Sequence, residues 1–88
     1  MRDPDHHVRL RFFREGRLTA LPSRHRMRLA ALRVLAERFE PGRRFQEREV
    51  NAILSEDAPD HATLRRLLVD HGLLERAGGI YIRTSIDA

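Results

Sequence analysis

Arg65 and Arg66 stand side by side in the stretch DHATLRRLLVDHGLLER, residues 60–76. A guanidinium is always charged and presents its donors as a flat fork. It can therefore grip a phosphate, or the two acceptors on a guanine edge. Thr63, one turn earlier, offers a hydroxyl for a phosphate and a methyl for a thymine. The same residues also suit a purely internal role. Arg66 and Asp70 are spaced to pair along one helix, although acid before base is the better order. Arg65 can reach Glu49 or Glu56 on a preceding helix. The internal reading stands slightly ahead.

The segment that must position them reads as a helix. Asp60 is a good N-cap and Gly72 supplies a left-handed stop. Leu64, Leu67 and Leu68 line one face, with His71 at its border. His61, Ala62, Thr63, Arg65, Arg66, Val69 and Asp70 are left for the other. Upstream, QEREVNAILSE reads as a short helix with Val50, Ile53 and Leu54 on one side. The turn Asp57-Ala58-Pro59 separates the two, because proline disfavours helix in the residue before it. Downstream, Gly78-Gly79 predicts a tight hairpin between runs 73–77 and 80–84.

The first half reads as an arm and a long helix. HVRLRFFREGRLTALP is a short helix or arm, stopped by Gly16 and Pro22. SRHRMRLAALRVLAERFEPG follows, with Ser23 as N-cap and Pro41-Gly42 as terminator. Leu29, Leu32, Leu35, Ala36 and Phe39 share one broad face, while Met27, Ala31 and Val34 lie on another. A helix with two apolar faces is packed on both sides, and Phe12, Phe13 and Leu18 are the natural cover for the second. Residues 43–45, RRF, are a short extended piece. There is no internal repeat or linker.

Composition sets the outer limits. The chain has 88 residues, no cysteine, and a formal net charge of +4. That is one domain with one modest core. No apolar run approaches the roughly 20 residues of a membrane span, and no signal-peptide pattern opens the chain. A cytoplasmic domain is expected. All 17 basic residues are arginine. Phosphate recognition would explain this, but a GC-rich coding sequence explains it better. Position is more informative. Residues 1–44 hold 12 arginines against 5 acids, and residues 45–88 hold 5 against 8. The basic half is the first. Arg9, Arg11, Arg14, Arg17, Arg24, Arg26, Arg28 and Arg33 would form one patch if arm and helix lay side by side.

Metal and catalytic chemistry find no support. His6, His7, His25, His61 and His71 lack ligand spacing, and Asp57, Asp60 and His61 only mimic a carboxylate–histidine cluster. Ser23, Ser55 and Ser85 read as cap, helix-end and tail residues. There is no Gly-rich phosphate loop or nucleophile elbow. No enzyme activity, metal or cofactor is expected.

The run RFQEREVNAIL followed by DHATLRRLLVDHGLLERAGGIYIR resembles the bacterial family known as domain of unknown function 2087. The matching positions are Phe45, Glu49, Val50, Asn51, Asp60, Leu64, Arg65, Arg66, Leu68, Val69, Asp70, Gly72, Leu74, Arg76 and Tyr81, and FFREGRLTALP fits the family's start. Gln46 departs from it, standing where a threonine N-cap is common. The resemblance implies a scaffold similar to winged-helix regulators, and no activity.

The expected fold is mainly α with a small β-hairpin, a winged helix-turn-helix with an extra N-terminal arm or helix. The chain is read as a single domain, 1–88, with the arm over 1–22 and the helices, short strand and hairpin wing over 23–84. The expected function is a nucleic-acid-associated domain of a bacterial transcription regulator. Thr63, Arg65, Arg66 and Arg76 would serve the motif helix and wing, and Arg24, Arg26, Arg28 and Arg33 the phosphate backbone. The alternative is a protein-interaction or dimerisation module on the same scaffold. DNA is the first partner expected, a protein or second copy the next, and RNA the last.

Overall fold

A computed structural model describes residues 4–84; Ser85 lies outside them. The described residues form four helices and two small antiparallel sheets. Helix α1 (Pro4–Phe12) runs into a hairpin of β1 (Phe13–Arg14) and β2 (Arg17–Leu18). Helix α2 (His25–Ala36) follows, then β3 (Arg44–Gln46), α3 (Glu47–Ile53) and α4 (His61–Asp70). Strands β4 (Leu74–Ala77) and β5 (Ile80–Arg83) end it. The second sheet has the order β3–β5–β4, with Phe45 and Arg76 both opposite Tyr81.

The expected arm is thus a helix and a hairpin. Gly16 does more than stop a helix. Glu15 and Gly16 both take positive φ, 53° and 81°, as a two-residue type I′ turn requires. Gly78 and Gly79 do the same at 58° and 82°, so the downstream hairpin forms where the glycine pair predicts.

Helix α2 begins one residue later than Ser23 implies. Arg24 occupies the cap position without a side-chain cap, and its carbonyl accepts the Arg28 amide at 2.8 Å. The helix also ends before Pro41-Gly42, unwinding through turns after Ala36. Its two-sided packing holds: α1 and α4 both contact it. Ala30, Ala31, Leu32, Val34, Leu35, Ala36 and Phe39 are buried, whereas Leu29 and Met27 are only half-buried. Val8 of α1 and Leu18 of β2 join the same cluster as Val50, Leu54, Leu64, Leu68, Leu74 and Tyr81. Phe12 and Phe13 are half-buried against it. Phe39 and Phe45 meet edge to face at 5.2 Å.

One polar junction crosses these layers. Asp57 is buried, 6% exposed. Its Oδ1 accepts the Leu18 amide at 2.7 Å and Arg38 Nη2 at 2.8 Å, and Oδ2 accepts Arg38 Nη1. Arg38 also donates to the Ile53 carbonyl at 3.2 Å and the Gly16 carbonyl at 2.6 Å. The Ala58 amide returns to the Leu18 carbonyl at 3.0 Å. The pair therefore ties the N-terminal hairpin, the segment after α2 and the α3–α4 connection at one point. Removing one partner would strand the other charge away from water. Arg38→Ala is expected to lower unfolding stability by about 3 kcal/mol, read from a urea midpoint with an unchanged slope.

Candidate nucleic-acid interface

Helix α4 is well fixed at both ends. Asp60 Oδ1 accepts the Thr63 amide at 2.8 Å, and Oδ2 accepts the Thr63 hydroxyl at 3.0 Å. These bonds, the backbone one first, hold the Asp60 carboxyl below its ordinary value of 3.8. At the far end Gly72, at φ 73°, lets its amide reach the Val69 carbonyl at 3.0 Å and the Leu73 amide reach Leu68 at 2.8 Å. This is a Schellman closure.

The two adjacent arginines have different fates. Arg65 Nη1 donates to Asn51 Oδ1, and Nη2 lies 3.8 Å from Glu47 Oε2. Its side chain is 20% exposed. Glu47 also accepts the Tyr81 hydroxyl at 3.0 Å. Arg65 thus binds α4 to α3, as the internal reading anticipates, but through partners other than Glu49 and Glu56. Glu49 instead accepts the Gln46 amide at 2.8 Å and lies 3.5 Å from Arg43. This contact secures the start of α3 despite the missing threonine. Glu56 pairs with Arg17 at 2.6 Å.

Arg66 is exposed. It lies about 200° round the helix from Leu64 and so points away from the core. No ion pair among the described residues holds it or Asp70. Half-buried Ala62 and Val69 flank it.

The remaining candidates divide the same way. Thr63 is engaged by the cap. Arg28 Nε donates to the Pro22 carbonyl at 3.1 Å, and Arg33 lies 3.7 Å from Asp5. Arg24, Arg26 and Arg76 are exposed without a carboxylate partner among the described residues. Arg76 lies over the Tyr81 ring, 6.0 Å from its centroid. The rings of His25 and His71 are 5.7 Å apart, which puts the start of α2, with Arg24 and Arg26, beside the end of α4. The single basic patch expected of the first half is broken up: Arg9 pairs with Glu37 at 2.7 Å, Arg17 with Glu56 and Arg33 with Asp5.

Sequence reading passes over Arg44 and Arg48, both exposed and unpaired among the described residues. It also passes over the Glu47–Tyr81 contact, although a buried tyrosine hydroxyl demands a partner. Among the described residues no three His, Asp or Glu side chains gather as a metal site, and no helix is long and apolar enough to cross a membrane.

Arg65→Ala is expected to cost about 1–2 kcal/mol of stability, and Arg66→Ala to stay within about 0.5 kcal/mol of the parent, both by chemical denaturation. The Asp60 cap has a second signature. Its pKa falls on folding, so its contribution is present above the ordinary carboxylate range and is lost as pH drops through the lowered value. The stability gap between the parent and Asp60→Ala should therefore close on acidification below about pH 4, in unfolding curves at stepped pH.

A family model described as an uncharacterized protein conserved in bacteria (DUF2087) matches residues 17–83. No curated protein and no solved structure matches the chain.

Proposed function

Because the chain belongs to the DUF2087 family, whose description assigns no activity, we propose from its own geometry that it is a winged-helix DNA-binding domain of a bacterial transcription regulator. The order helix, strand, helix, helix, hairpin, with β3 paired to β5 and β5 to β4, is that of a helix-turn-helix followed by a wing. Here α3 and α4 are the motif helices and β4–β5 the wing.

One observation carries the reading. Arg66 stands exposed and unpaired on the outer face of a helix that Arg65 and Asp60 hold rigid. A fixed helix presenting a free guanidinium is the arrangement that reads a guanine edge in the major groove. Arg48 on α3, Arg76 on the wing, and Arg24 and Arg26 beside the end of α4 supply phosphate contacts. Thr63, Arg65, Arg28 and Arg33 then serve as the frame. The domain binds and does not catalyse.

A second reading draws on Leu10, 73% exposed on α1, and on the division of charge between the halves. A protein or second copy would dock there.

Fluorescence anisotropy with double-stranded DNA at low salt tests the first reading. Affinity should fall steeply with added salt. Arg66→Ala should remove sequence preference while leaving the fold intact, and replacing Arg24 and Arg26 together by alanine should lower the salt slope by about two. Absent or salt-independent affinity overturns it. Absent affinity with a salt-sensitive oligomer in light scattering favours the second.

A further inference from the structure

A cleft between α1 and the start of α2 shares only Arg24 with the reading above. His7 and Arg11 of α1 form one wall, and Ser23 and Arg24 the other, with Phe12 and Met27 as its apolar side. Its cavity volume, about 370 Å³, lies at the small end of the range for ligand clefts. The family match begins at residue 17, so α1 brings its share of the cleft from outside the matched span.

Helix α1 has two unlike flanks. On one, Asp5 and Arg9 meet Arg33 and Glu37, and the charges compensate. On the other, His7 and Arg11 line the cleft together with Arg24, and no carboxylate does. Neither Arg11 nor Arg24 is ion-paired among the described residues. Two guanidinium ions facing one small space repel each other, and an anion between them reverses the sign of that interaction. Arginine forks match phosphate oxygens, and the Ser23 hydroxyl and His7 imidazole are further donors. The apolar side narrows the choice of anion. The Arg11 guanidinium lies 5.7 Å from the Phe12 ring centroid, and Phe12 with polarisable Met27 offers a surface on which a planar ring can rest. A small molecule or residue that carries both a phosphate and a planar ring matches this lining.

We propose that this cleft binds a nucleoside monophosphate, its phosphate between Arg11 and Arg24 and its base against Phe12 and Met27. The group is either a free nucleotide or the phosphorylated end of a nucleic-acid strand. The site does not depend on duplex reading by α4, and it can be tested with no duplex present.

Isothermal titration calorimetry of the full chain with adenosine monophosphate, adenosine and inorganic phosphate is the experiment. The monophosphate should bind more tightly than either part alone. Arg11→Ala and Arg24→Ala should each weaken it roughly tenfold. Phe12→Leu should reduce its advantage over inorganic phosphate without changing phosphate binding, and an unchanged circular dichroism melt certifies each variant's fold. A short single strand with a 5′-phosphate is run in parallel. Binding of the monophosphate assigns the free nucleotide, and binding of the strand alone assigns the strand end. The proposal is overturned if neither binds, if adenosine binds as well as its monophosphate, or if the arginine variants leave affinity unchanged.

Discussion

A carboxylate taken out of water in so small a domain must be compensated on every side, and the way Asp57 is compensated organises the chain. Arg38 neutralises it, the Leu18 amide adds a third contact, and Nη1 and Nη2 of Arg38 also donate to the carbonyls of Ile53 and Gly16. Arg38 keeps one edge near solvent, at 25% exposure, while the Asp57 side chain has 1%. This lowers the desolvation cost for one partner only. Apolar burial is non-directional and by itself fixes no single seat for the N-terminal hairpin. The directed bonds leave it one position.

The same logic distributes the other charges. The partly buried arginines act as fasteners between elements: Arg65 between α3 and α4, and Arg83 from β5 to the Phe39 carbonyl. What is left for a partner is the remainder, chiefly Arg66, Arg76, Arg48, Arg24 and Arg26. Exposed pairs such as Arg17–Glu56 add little stability, but they remove charge from the surface that an anion would meet. The basic half is therefore less basic, seen from outside, than its arginines suggest.

Signals carried by one or two residues were readable from the chain. Asp60, Gly72 and the Gly78-Gly79 pair each specify a local backbone shape, and each appears where its chemistry demands. The leucine stripe of α4 and the double apolar face of α2 were equally plain. Contacts between distant residues were not readable. Asp57 sits in a proline turn and looks like a turn residue, since nothing local announces an arginine 19 positions away. Glu15-Gly16 does not read as a hairpin because only one of its two positions is a glycine, and the strands have two residues each. Candidate site residues fared likewise. The types were evident, but which guanidinium was fastened and which was free depended on the angle of one helix against another.

The span of the Asp57 junction also bears on when the protein can become itself during synthesis. The hairpin is made early, yet its anchor is the residue that hydrogen-bonds Leu18 from 39 positions further on. At about 5–20 residues per second, the ribosome keeps that anchor away for roughly two to eight seconds. Through that interval the Leu18 amide is without the carboxylate that fixes the hairpin in the finished fold.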